Sequence, residues 1–207
     1  MGRRKRRELS VEGILAASVP ILAEEGERGL SMRRVATALG VTPMALYHHV
    51  PDKDALVDLV VDRVLSEALE TEPDADQDWR SALVDFAVAY RALLVDNPGI
   101  GAVYLRRPIV VPATARTSIR LFELLERGGV RGKAVTDAAD AIVLVIMGSL
   151  ANDLSRPSEI RMRLADQLPE PEAARLRPNL ASYADRDPEA RFRQALDWVL
   201  RGALPED

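Results

Sequence analysis

Residues 31–53 read SMRRVATALGVTPMALYHHVPDK, and this stretch decides the fold. Ser31 is a good N-cap for a short helix over Met32 to Leu39, which Gly40 stops. Thr42 opens a second helix with Pro43 in its first turn, where the missing N–H costs no hydrogen bond. Two short helices joined by a tight connection through Gly40 have the spacing of a helix-turn-helix. Ala36 is small enough to let them approach, and Val35, Leu39, Val41 and Leu46 supply a miniature core that holds their angle. With Leu46 buried, a rotation of about 100° per residue turns Met44 and His48 to the opposite face and leaves Ala45 and Tyr47 on its flanks. That face is the one able to enter a major groove.

The residue types on that face suit DNA. Ala45 and Met44 offer apolar contact to a thymine methyl, and Arg33 or Arg34 on the preceding helix could donate two hydrogen bonds to guanine. Thr42, Tyr47, His48, His49 and Lys53 carry hydroxyl, imidazole or ammonium donors near the ends of the recognition helix, where phosphate contacts would position it. The RRKRR run at Arg3 to Arg7 could add an arm to phosphates or the minor groove. Charge follows the same division: residues 1–53 hold nine Lys or Arg against six acids, while the remainder is acidic by seven. A basic module on an acidic body turns one face toward a polyanion. Drift of solvated surface charge is the alternative explanation.

Working outward, Ser10 caps a helix that carries Val11, Ile14, Leu15, Ser18, Ile21 and Leu22 on one stripe and ends at Gly26 and Gly29. Pro20 predicts a bend inside it. Asp52 caps a fourth helix running to about Leu69, with Leu56, Leu59, Val60 and Val64 inward. The acidic run ETEPDADQD at 70–78 reads as a loop. Further helices are predicted at about 79–96, 99–107, 113–127, 134–154, 158–167 and 189–203. The stretch 168–188, with four prolines, is predicted to be irregular. Apolar residues recur at three and four throughout and period-two alternation never persists, so the fold class is all-α.

The run L-S-M-R-R-V-A-x-x-L-G-V-x-P-M-A-L-Y-x-H-V-x-x-K and the helix after it, over roughly residues 10–65, resemble the TetR (tetracycline-repressor-like) family of one-component regulators. The resemblance implies a homodimer with a three-helix helix-turn-helix head on a helical-bundle body, released from a palindromic DNA operator by a small-molecule effector. It implies a DNA-binding domain over 1–52, a connecting helix over 53–70 and a ligand-binding and dimerisation domain over 71–207. Matched position by position, Arg33, Thr42, Pro43, Met44, Ala45, Tyr47, His48, His49 and Lys53 fall where the family contacts DNA. Tyr47 and Lys53 fit that pattern best.

The body resembles the family's C-terminal domain only loosely, so no effector carries over. Val135 to Leu154 is apolar on more than one face and the last helix adds Phe192, Leu196, Val199 and Leu200. Such helices must be covered, either by symmetry mates in a four-helix dimer interface or within a monomer core. Phe86, Tyr90, Tyr104, Phe122, Met147 and Asn152 are candidates to line an effector pocket, although each residue type also occurs as plain core.

Other classes find little support. The two histidines are adjacent and already placed in the recognition helix, so no separate His base or His-rich metal site is available. The triplet Gly132-Lys133-Ala134 fails as a phosphate loop, because Arg127 stands at the first glycine and alanine replaces Ser or Thr. No cofactor is expected. The absence of cysteine removes disulfides and thiolates and fits a reducing, cytoplasmic setting. No stretch reads as a signal peptide, and the most apolar run, Ala141 to Ala151, is shorter than the roughly 20 residues that span a bilayer, so no membrane partner is expected. The remaining alternative is a non-specific architectural DNA-binding protein without an effector.

Overall fold

The computed structural model describes residues 9–203 except 73, 75, 156–162, 164, 185 and 186. The Arg3 to Arg7 arm and most of the helix expected over 158–167 lie outside the described residues. Among the described residues every regular element is a helix, as the spacing predicts. The chain divides into two compact units, residues 1–71 with 96–117, and residues 72–95 with 118–207.

The first unit begins with α1, Val11–Gly29, whose N-cap Ser10 accepts a hydrogen bond from the Gly13 N–H at 3.2 Å. The expected bend at Pro20 is not where the helix breaks. Pro20 is exposed and sits within the helix, and the non-helical backbone falls at Gly26 (φ 68°, ψ −170°), a left-handed conformation that favours glycine. Then come α2, Met32–Leu39, α3, Pro43–Tyr47, and α4, Lys53–Glu67. Each starts on the cap read from the sequence. Ser31 accepts from the Arg34 N–H at 3.3 Å, Thr42 from the Ala45 N–H at 3.4 Å and Asp52 from the Ala55 N–H at 2.8 Å. Gly40 ends α2 in the left-handed region (φ 67°), and the following Val41 N–H donates to the Ala36 carbonyl at 3.0 Å, which satisfies the last turn.

The core of this unit is Ile14, Leu22, Leu30, Val35, Leu46, Val50 and, on α4, Leu56, Val57, Val60, Val61 and Leu65, all at most 1% exposed. Burying each such side chain contributes roughly 1.5–3 kcal/mol before entropy is counted, so the short helices α2 and α3 are held by packing more than by propensity. Leu39, Val41 and Leu59, read as core, are only half-buried, and Val11 is exposed.

Helix α6, Pro98–Arg106, belongs to this unit as well. It crosses α1 so closely at the Gly26 break that a Cβ on Gly99 would lie 1.9 Å from the Leu22 carbonyl oxygen and 2.8 Å from the Gly26 Cα. Polar ties join this part of the chain to α1 and α4. Arg106 pairs with Glu27 at 3.4 Å, Arg107 with Asp58 at 2.5 Å, and the Ala113 N–H donates to Asp62 at 2.7 Å.

The second unit contains all but the last residue of α5, Trp79–Asp96, the later part of α7, Pro112–Arg127, then α8, Lys133–Ser155, α9, Glu170–Ala184, and α10, Pro188–Ala203. The presence of α9 corrects the expectation of an irregular 168–188. Pro171 lies in its first turn, where a proline is tolerated, and Pro178 is carried inside the helix, so proline number alone was a poor guide. Leu83, Tyr90, Leu94, Leu121, Leu125, Ile142, Ile146, Leu150, Phe192, Leu196 and Leu200 form the core. Helix α8 packs chiefly on α10.

By length and composition only, α8 is long and apolar enough over Lys133–Leu154 to cross a membrane, with mean hydropathy 1.7 and 33% burial in its most apolar window. The run Ala141 to Ala151, measured in the sequence as too short to span, is the uninterrupted apolar middle of this longer helix, and the core helix of a soluble protein meets the same length and composition. One face, with Ile142, Ile146 and Leu150, is buried, whereas Val143, Leu144, Gly148 and Ala151 are exposed.

Candidate nucleic-acid interface

Helix α3 presents the face that the rotation about Leu46 predicts. Leu46 is fully buried, Met44 is 67% exposed, Tyr47 is 47% exposed, and Thr42, Pro43, His48 and His49 are exposed, with Ala45 half-buried at the flank. A large apolar side chain left two-thirds in water on a five-residue helix gains nothing for the fold of the chain itself. It gains only if something covers it. The Thr42 cap and Pro43 fix where this helix starts, so the exposed face is set by local chemistry as well as by packing.

The neighbouring arginines on α2 separate in the structure. Arg33 is exposed, and Thr37 one turn on donates its hydroxyl to the Arg33 carbonyl at 2.9 Å. Arg34 is engaged: both terminal nitrogens donate to the Glu25 carboxylate on α1, and Nη1 also donates to the Gly29 carbonyl at 3.3 Å. Hydrogen bonding to Arg34 holds the Glu25 carboxyl below its ordinary range, partial desolvation opposing and the guanidinium charge adding to the effect. By residue type alone the sequence offered Arg33 or Arg34 as a reader of guanine, and the family resemblance singled out Arg33. The structure leaves Arg33 the better placed.

Lys53, read from the sequence as a phosphate donor, also makes a bond within the head. It is half-buried in the first turn of α4, and its Nζ donates to the Glu27 carbonyl, just past the α1 break, at 2.6 Å. An ammonium has three donors, so this bond leaves two for other partners. Glu27 thus receives Lys53 on its carbonyl and Arg106 on its carboxylate, joining α1, α4 and α6. Nothing in the sequence flagged Glu27 or Glu25, since their partners arrive through tertiary packing.

Of the candidate effector residues, Phe86 and Tyr90 on α5 are buried, with ring centroids 6.1 Å apart at 46°. Phe122 on α7 and Met147 and Asn152 on α8 are half-buried in the same unit. Tyr104, on α6, lies in the first unit. Sequence reading passed over a polar cluster in the second unit. Arg91, 6% exposed, donates from Nε to the Ser149 hydroxyl at 2.8 Å and from Nη2 to Asp153, while its guanidinium lies 5.3 Å from the Phe192 ring centroid. Arg191 approaches the other Asp153 oxygen at 3.5 Å. The available signal was a single arginine inside the otherwise apolar stripe of α5.

Comparison with known proteins gives the family. Residues 14–60 match the family described as bacterial regulatory proteins, tetR family, and residues 72–204 match the tetracyclin repressor-like C-terminal domain. The chain is 33% identical over 170 residues to the HTH-type transcriptional repressor DrrR1 of Streptomyces coeruleorubidus, covering 80% of this chain and 63% of that protein. It is 30% identical over 197 residues to the class A tetracycline repressor from transposon 1721 in Escherichia coli, covering 94% and 90%. Against an HTH-type regulator of Saccharopolyspora erythraea it spans 60% of that protein's length. Among solved structures, ActR of Streptomyces coelicolor superposes with a TM-score of 0.79 without ligand and 0.80 in complex with actinorhodin, at 24% and 23% identity over 95% of this chain, covering 95% and 96% of the ActR chains, a likeness of fold. The chain therefore belongs to the tetR family of bacterial regulatory proteins, which are DNA-binding transcriptional regulators and not enzymes.

Proposed function

We propose that the chain is a homodimeric repressor that grips a palindromic operator through α3 and lets go when a small molecule binds in its second unit. The observation that carries the DNA half of this reading is the outward face of α3, where Met44 and Tyr47 are held in water by a helix whose other side is the core residue Leu46. Arg33, Pro43, Met44 and Ala45 would meet bases, and Thr42, Tyr47, His48, His49 and the remaining donors of Lys53 would meet phosphates. A regulator of chromosomal DNA works in the cytoplasm, and residues 1–52 act as its head, 53–70 as its connecting helix and 71–207 as its body.

The dimer half rests on α8 and α10. Leu144 is 72% exposed and Trp198 is 64% exposed, and an open groove on α10 is bordered by Asp187, Ala190, Arg191, Gln194 and Trp198. A second copy of the same two helices would cover these side chains in an isologous four-helix contact. It would also account for an α8 that is apolar well beyond its buried third.

The effector half draws on ActR, a protein of like fold that has been solved in complex with actinorhodin, and on the aromatic and polar groups Phe86, Tyr90, Phe122, Met147 and Asn152 in the second unit. Binding there would select a separation of the two heads that no longer matches successive major grooves about 34 Å apart.

Selection of bound duplexes from a random pool tests the reading. Recovery of one palindrome, bound about a thousandfold or more above unrelated DNA, is expected. Recovery of no preferred sequence, with equal affinity for every duplex, would instead describe an architectural protein.

A further inference from the structure

We propose that Glu25 is a specificity-determining residue of the head: by holding Arg34 in a two-pronged ion pair it leaves Arg33 as the one α2 guanidinium that reads a base, so each half-site carries a single arginine-read guanine beside thymines met by Pro43, Met44 and Ala45. This rests on reading α3 as the groove-entering helix.

Guanine is recognised by two parallel N–H donors directed at O6 and N7. Those are the donors that Arg34 gives to the Glu25 carboxylate, while the Gly29 carbonyl takes a further bond from Nη1. A guanidinium is a rigid fork, so it does not serve two bidentate partners with the same two prongs. The pairing also cancels the Arg34 charge where a phosphate would attract it. Arg33 has neither restraint. Its side chain is exposed on the same helix turn, and the Ser31 cap at the start of α2 orders the backbone that carries both arginines.

The rest of the reading surface is poor in charge. Pro43 has no N–H, Met44 and Ala45 are apolar, and the Thr42 side chain already caps α3. Apolar groups of this kind distinguish a thymine by its methyl and offer nothing to the donors and acceptors of a G·C pair. The outcome is a half-site in which one position demands guanine and its neighbours demand thymine.

The test compares the full chain with Arg33→Ala, Arg34→Ala and Glu25→Gln, each checked for an unchanged melting transition. A selected duplex is used with every base pair replaced in turn, and thymine replaced by uracil, at several salt concentrations. Wild type is expected to lose about 5- to 150-fold at one guanine position, a preference that Arg33→Ala abolishes and Arg34→Ala leaves within about twofold. Removing a contacted thymine methyl should cost about threefold to fourfold. Glu25→Gln should raise affinity for unrelated duplexes and steepen the salt dependence by about one counterion per head.

Loss of a base preference in Arg34→Ala, or a Glu25→Gln protein equal to wild type in both affinity and salt slope, would overturn the inference while leaving α3 as the reading helix. An absence of uracil effects would overturn its thymine part. Failure of wild type to prefer any duplex would remove the reading of α3 itself, and this inference with it.

Discussion

Arg33, Lys53 and Arg34 are all cations at the edge of the same small head, yet their surroundings assign them different work. Arg33 is exposed and able to turn toward a base edge, so Arg33→Ala should cost about 1–3 kcal/mol at one operator position and little elsewhere, as measured by binding to a set of single-base operator variants. Uniform weakening across the set would make it a phosphate contact. Lys53 is a joint as well as a donor, because its Nζ bond to the Glu27 carbonyl ties the start of α4 to the end of α1. Lys53→Ala should therefore lower both the affinity for every duplex and the melting temperature. Buried-edge hydrogen bonds to a charged group contribute about 1.5–3 kcal/mol, so a variant that weakened DNA binding with no change in unfolding would show that the Glu27 bond contributes nothing. Residue type does not make these assignments: Arg33 and Arg34 are neighbours of one kind, the family pattern marks Arg33 alone, and the physical difference between them is the arrival of Glu25 from α1.

At the scale of elements, much of the head could be read from local chemistry. Ser10, Ser31, Thr42 and Asp52 start α1 to α4 because a side-chain oxygen answers an otherwise unmet N–H, which is a property of a few adjacent residues. What local rules missed has a long-range cause. The break in α1 falls at Gly26, where α6 crosses at Gly99, and a pattern that looks only along the chain points to Pro20 instead. Gly99→Ala places a methyl 1.9 Å from the Leu22 carbonyl oxygen, a backbone atom unable to swing aside. The expected result is destabilisation by about 1–3 kcal/mol or more in denaturant unfolding, with α6 displaced from α1. Unchanged stability would mean that the crossing readily opens. In the second unit, Asp153 receives Arg91 from α5 and Arg191 from α10, and its side chain is 13% exposed against 7% for Arg91. Asp153→Ala leaves Arg91 buried without its carboxylate, so a loss of about 3–5 kcal/mol in thermal or denaturant unfolding is expected. A loss well under 1 kcal/mol would show that Ser149 and the Phe192 ring suffice to hold the charge.

For the whole molecule, symmetry connects the two ends of the account. A single head offers a recognition helix of five residues, too small a surface for strong selection by itself, and two heads on one dimer make the second contact intramolecular. Leu144→Glu, placing a charge on the exposed apolar face of α8, should shift the protein to monomer in sedimentation and reduce operator affinity by about a hundredfold or more, with the fold retained. A variant still dimeric would relocate the interface. The composition read this scale only in outline: the apolar excess of α8 and α10 announced that something must cover them, and the separation of exposed Val143 and Leu144 from buried Ile142 and Ile146 needed the structure. The proposal as a whole stands on α3. Its most direct test is the affinity of Met44→Glu for the selected palindrome beside wild type, with melting curves confirming that both fold. Because Met44 is two-thirds exposed, the substitution leaves the core intact and sets a carboxylate against the DNA; the account predicts unchanged unfolding with binding weakened by about a hundredfold or more, and equal binding by the two proteins would contradict it.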